Sequence, residues 1–154
     1  MELTKILKPE AVKVVSTASS KKRLLNDIAE LASSAYGFSA SFALEALQER
    51  EALGPTGVGN GVALPHARIP DLQTVVGTFI LLEKPIDFES VDRQPVDIAF
   101  ALFAPEDAGV DHLKALASVS RTLRDPSICT KLRANSDPST LFAILTTGHT
   151  VQAA

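Results

Sequence analysis

The sequence predicts an α/β domain built in layers. Two segments with helical spacing of apolar residues occupy 20–36 and 39–53. Two short runs rich in Val, Ile and Phe follow at 75–83 and 96–104, and helical spacing returns after 110. Helices before, strands between and helices after form a layered pattern, though the order of the strands is not written in it. The 154 residues suffice for one hydrophobic core, and without an internal repeat or a low-complexity linker they read as a single domain over 1–154.

Each element has its own grounds. VKVVS (12–16) is a weak first strand. In the first helix Leu24, Leu25, Ile28, Leu31, Ala32 and Ala35 share one face, Ser19 or Ser20 caps the start, and Gly37 follows the end. The second helix offers Ser39 as its cap, Phe42, Ala46 and Leu47 inward, and Gly54 after its last turn. GVALPH (61–66) reads as a strand stopped by Pro65, which cannot donate to a ladder. VVGTFILLE and VDIAFALFA are short, apolar runs rich in Val, Ile and Phe, as buried strands are. The polar, proline-bounded stretch between them is a loop. After 110, Leu113, Leu116, Ala117, Ser120 and Leu123 mark an apolar helix face. Pro126 and Pro138 suit first helical positions, capped by Asp125 and Asp137. The tail from about 147 reads as flexible, and His149 in it receives no role.

Composition narrows the function. A formal net charge of −3 argues against sequence-independent nucleic-acid binding, which needs a basic surface. No apolar run approaches the ~20 residues of a membrane span, and MELTKILKPEAV lacks the parts of a secretory signal. The one cysteine, Cys129, excludes an intrachain disulfide and a cysteine-rich zinc site, and beside Ile128 it reads as a small core residue. The expectation is a soluble cytoplasmic protein without membrane insertion.

The chemistry gathers at LGPTGVGNGVALPHARIP (53–70), where four glycines and two internal prolines surround His66. Pro65 narrows the direction in which the chain enters His66. Gly57, Gly59 and Gly61 permit close approach of an anionic group, with Thr56 and the amides of 57–61 as donors to phosphate oxygens. Neutral imidazole is a nucleophile near pH 7. No Gly-Lys-Ser/Thr follows, and the glycines lead into a strand rather than a helix, so neither a Walker A loop nor a dinucleotide fingerprint is present. His112 falls in the first turn of its helix, where backbone N–H groups favour an anion. Without a partner it reads more simply as a partly buried helix-start residue. Arg50 near a helix C-terminus can bind phosphate bidentately, although the helix dipole alone also favours it there and Glu49 or Glu51 can hold it by ion pairs. The basic stretch from Arg121 to Arg133 reads as a solvated helix face.

Taken together, RE-ALGPTGVGNGVALPHARI resembles the active-site signature of the fructose- and mannitol-type enzyme IIA of the bacterial phosphotransferase system. EKPIDFESVDRQPVDIAFALFAPEDAGVDHLKALASVSRTLRD is similar to its nitrogen-regulatory branch, IIA-Ntr. The likeness runs from LTKILKPEAV to LFAILT. It implies a mixed β-sheet with helices on both faces, and no metal or cofactor. It implies that His66 accepts a phosphoryl group on Nε2 from the phosphohistidine of a small HPr-like carrier. Arg50 then lies beside that histidine, and His112 is a second, non-accepting histidine. Pro55 departs from the serine many members carry, which removes a hydroxyl donor from that position but leaves His66 untouched.

Three functions follow as alternatives. A regulatory phosphocarrier binds partner proteins according to its phosphorylation state. A transport enzyme IIA passes the group to a separate enzyme IIB. A small hydrolase or metal protein built on His66 and His112 needs further ligands or a nucleophile, for which no motif is present.

Overall fold

The computed structural model describes the backbone of residues 1–153 and the side chains of 1–147. Side chains from 148 onward lie outside the described residues, as does Ala154, and with them His149 and the tail expected to be flexible. A 3-10 turn at Leu3–Lys5 leads into β1 (Leu7–Val15), α1 (Lys21–Tyr36) and α2 (Ala40–Leu53). The short strands β2 (Gly57–Gly59), β3 (Val62–Ala63) and β4 (His66–Arg68) come next, then the long β5 (Val76–Ile86) and β6 (Val96–Ala104). The helices α3 (Val110–Leu123), α4 (Pro126–Arg133) and α5 (Pro138–Ala153) complete the chain.

The six strands form one mixed sheet in the order β1-β5-β6-β3-β2, with β4 also paired to β6. β5 and β6 run antiparallel, and β1 joins β5 in parallel. β3 and β4 both lie parallel to β6, because the chain breaks at Leu64–Pro65 and resumes pairing at His66 opposite Leu102. The expected strand 61–66 is therefore two strands. Pro65 interrupts the ladder as a residue without an N–H must, yet its carbonyl still accepts from Leu102 N at 2.9 Å.

Period-2 alternation divides the sheet between two cores. Phe79, Leu81, Ile98, Phe100 and Leu102 pack with α3, α4 and α5. Ile80, Leu82, Ala99, Ala101 and Phe103 pack with α1 and α2. Helices thus cover both faces. Ser20 and Ser39 cap α1 and α2 by accepting from Arg23 N and Phe42 N, and Gly37 leaves α1 at φ +88°. Asp125 and Asp137 accept from Ser127 N and Thr140 N at the starts of α4 and α5.

Two expected faces are corrected. Phe42 is 45% exposed, and Ala43 with Leu47 does the inward packing of α2. In α3 the buried residues are His112, Ala115, Ser118, Val119, Thr122 and Leu123, while Leu113 is 68% exposed. The stripe is rotated by about one position because the first turn turns His112 inward and leaves Leu113 outside.

Candidate active site

His66 opens β4, directly after the ladder break that Pro65 enforces. Its Nδ1 stands 3.0 Å from the Leu64 carbonyl oxygen. A carbonyl only accepts, so Nδ1 carries the ring proton. Arg50 Nε, which only donates, lies 3.1 Å from His66 Nε2. The two partners together assign the tautomer: Nδ1 protonated, Nε2 holding the lone pair. Arg50 comes from the last turn of α2, and its Nη1 donates to the Gly54 carbonyl just past that helix at 3.0 Å.

His112 reaches the same place from the first turn of α3. Its ring centroid is 5.6 Å from that of His66, the planes edge to face at 72°. It is buried, and its Nε2 has no hydrogen-bond partner among the described residues. Burial holds its pKa below the ordinary value of 6.5, and the Arg68 charge and any proton taken up by the neighbouring His66 push the same way, which favours the neutral ring at pH 7. Arg68, two residues beyond His66 in β4, donates through Nη1 to the carbonyls of Glu106 at 2.7 Å and Pro105 at 3.3 Å. It thereby ties β4 to the connection that leads into α3. The sequence reading passed over Arg68. The i, i+2 rule of a strand, which puts it on the same face as His66, was the available signal.

His66, Arg50 and His112 therefore meet, as expected. Two of the expected donors of the glycine stretch, Thr56 and the Asn60 amide, are engaged elsewhere. Thr56 gives both its N–H and its hydroxyl to the Glu51 carboxylate. Asn60 and Gly61, at φ +58° and +80°, make the two-residue turn of the β2–β3 hairpin, the Asn-Gly pair that such turns select. Gly57 lies so close to the loop after Phe88 that a Cβ would stand 2.2 Å from Ser90 Oγ. Gly59 borders the Asp92 carboxylate, and Gly61 borders the ion pair of Asp97 with Arg133, whose guanidinium also donates to the Asn60 carbonyl at 2.8 Å. Backbone N–H groups of Gln94 and Asn60 hold Asp92 below its usual carboxylate pKa and so keep it anionic. The glycine stretch is a hairpin edged by these charges, and Thr56, with both donors on Glu51, is not free to hold a phosphate, which corrects that expectation for it. Ion pairing of Arg50 to Glu49 or Glu51 is corrected too: Glu51 pairs with Lys21 at 2.8 Å.

Among the described residues no three His, Cys, Asp or Glu side chains converge as a metal ion would require. Among the described residues no helix is long and apolar enough to cross a membrane. Chemically, the site offers an unprotonated, partly exposed imidazole nitrogen beside one guanidinium and one neutral imidazole.

The chain as a whole is similar to known proteins. The family model described as "Phosphoenolpyruvate-dependent sugar phosphotransferase system, EIIA 2" matches residues 5–148. A nitrogen regulatory protein of Bradyrhizobium diazoefficiens is 46% identical over 145 residues, covering 94% of this chain and 95% of its own length. One from Klebsiella oxytoca is 41% identical over 147 residues, covering 95% and 91%. Among solved structures, the nitrogen regulatory protein IIA-Ntr of Neisseria meningitidis superposes with a TM-score of 0.84 at 34% identity, over 92% of this chain and 97% of that one.

Proposed function

The chain belongs to the type 2 EIIA family of the phosphotransferase system, and on that premise we propose that it is a nitrogen-regulatory phosphocarrier loaded on His66 Nε2. The observation that carries the proposal is the tautomer. The Nδ1–H bond to the Leu64 carbonyl leaves Nε2 as the nitrogen with a free electron pair to attack phosphorus. A bond forms from Nε2 to the phosphorus of a carrier phosphohistidine while the carrier's own N–P bond breaks and its electron pair returns to the carrier nitrogen. The transition state is loose and asks for positioning and charge stabilisation more than for covalent help.

Arg50 has two tasks in this sequence. At rest its Nε occupies the electron pair of Nε2, so it must leave that nitrogen before attack. Once displaced it is already within reach of the equatorial oxygens, where a guanidinium binds well. His112, neutral and with Nε2 unpartnered, offers a further donor to the same oxygens. The donor of the group is itself a protein and needs an apolar contact. Leu53 at the end of α2 is 84% exposed, and Val110 and Leu113 at the start of α3 are 61% and 68% exposed. These are the two helix ends that carry Arg50 and His112, and they frame the docking face for an HPr-like carrier. Phosphorylation then adds about two negative charges to that face, enough to change which regulated partner binds. The names of the relatives at 41–46% identity favour this regulatory role over sugar transport.

The test is intact mass after incubation with phosphoenolpyruvate, enzyme I and an HPr-like carrier, for the wild type and His66→Ala. One added phosphoryl group, absent in the variant, is expected. Uptake by the variant refutes the assignment, and onward transfer to a cysteine of an enzyme IIB reassigns the protein to sugar transport.

A further inference from the structure

Glu51 sits where local rules oppose it. It is in the last turn of α2, at the negative end of the helix dipole, and its side chain is only 6% exposed. A carboxylate placed against both burial and the dipole is held by tertiary contacts, and such violations gather at functional sites. Three donors converge on it: Lys21 Nζ at 2.8 Å, Thr56 N at 3.3 Å and the Thr56 hydroxyl. Lys21 is itself fixed, opening α1 and standing 4.7 Å over the ring of the fully buried Phe88.

These bonds close the short connection from α2 to β2 into a loop. Gly54 lies inside that loop, and its carbonyl anchors one end of the Arg50 guanidinium at 3.0 Å while Nε reaches His66 at 3.1 Å. From this chain of contacts we infer that Glu51 is a positioning residue for phosphoryl transfer. It acts through Thr56 and the Gly54 carbonyl to hold Arg50 in register with His66 Nε2. The inference rests on the phosphocarrier reading for its kinetic consequence, but its structural half stands in the unphosphorylated protein.

Two measurements test it. The first is single-turnover transfer from the phosphorylated HPr-like carrier across donor concentrations, for Glu51→Gln, Thr56→Val and Thr56→Ser, each also placed on Arg50→Met. Because the effect travels through Arg50, the loss is bounded by what removing that guanidinium costs, about 5- to 30-fold. Glu51→Gln and Thr56→Val are expected to slow the donor-saturated rate by about fivefold or more within that bound, with the half-saturating donor concentration unchanged. Thr56→Ser, which keeps the hydroxyl, stays near wild type. On Arg50→Met the Glu51 substitution adds nothing, since its effect travels through the missing group. An unchanged rate per folded molecule overturns the inference, as does an equal loss with and without Arg50. Should Glu51→Gln not fold, the Thr56 pair decides alone.

The second measurement is the Arg50 Nε–H signal in proton–nitrogen spectra of the unphosphorylated protein. It is expected to be slow to exchange in the wild type and Thr56→Ser, and fast in Glu51→Gln and Thr56→Val. A signal indifferent to these changes overturns the inference even if the wild type accepts no phosphoryl group. In that last case the phosphocarrier reading alone has failed.

Discussion

Replacing Arg50 with Met keeps the apolar stem and removes the guanidinium, and its effect can be worked from two distances. In the resting protein Nε donates to His66 Nε2 at 3.1 Å. A hydrogen bond from a charged donor is worth about 1.5–3 kcal/mol, and it stabilises the ground state. In the transition state the same group faces the equatorial oxygens, where one preorganised donor is worth about 2.7–4 kcal/mol. The difference, about 1–2 kcal/mol, is what Arg50 contributes to the rate, so Arg50→Met should slow transfer from the carrier by about 5- to 30-fold. The resting bond yields an opposite prediction for a small reagent. An acylating agent such as diethyl pyrocarbonate needs only the free electron pair of Nε2 and no charge clamp. Removing Arg50 uncovers that pair and should speed its reaction with His66. The assay is paired: quenched-flow phosphoryl transfer, and mass-resolved modification of His66, in both proteins. If both rates fall together, Arg50 does not cap the nucleophile, and the resting geometry as described is not what controls access.

His66→Ala should abolish phosphoryl uptake while thermal unfolding stays cooperative and close to wild type, because the ring is only partly buried; a collapse of folding would contradict the assignment. His112 contributes pH dependence. Its folded pKa lies below the ordinary 6.5, so the unfolded chain binds the proton more readily. The stabilising contribution is complete above pH 6.5 and is lost as pH falls through the lowered value. Urea midpoints between pH 8 and 5 should show this slope, and His112→Gln should remove that part of it. Gly57→Ala places a Cβ 2.2 Å from Ser90 Oγ and 3.0 Å from Ser90 Cα. Overpacking of this kind costs about 1–3 kcal/mol, and Ser90→Gly should recover part of it in the double variant, as read from denaturant midpoints.

Much of this was legible in the residues, and the misses have physical causes. VDIAFALFA was read as a strand over 96–104, and β6 has those bounds. A run apolar at every position except Asp97, near its start, is what burial between two helical layers demands. The caps at Ser20, Ser39, Asp125 and Asp137 follow from short polar side chains before helical spacing. The expected α3 stripe begins at Leu113, the first large apolar residue of the helix, whereas the fold buries His112 and exposes Leu113. The glycine stretch reads, from its glycines and the elements around it, as room for an anion. Its Asn60–Gly61 pair, a hairpin signal, was in plain view and accounts for the backbone freedom that a phosphate cradle was invoked to explain. Glu51 was weighed only as a partner for its neighbour Arg50. Its true partners, Lys21 and Thr56, depend on how α1 packs beside α2, and spacing along one helix carries no record of that.

The central claim is that the phosphoryl group resides on one particular nitrogen. Phosphorylating protein labelled with nitrogen-15 in histidine, and recording the phosphorus–nitrogen coupling, tests it most directly. The account predicts coupling to Nε2 of His66, with Nδ1 still protonated and bonded to the Leu64 carbonyl. Coupling to Nδ1, or to either nitrogen of His112, would contradict it.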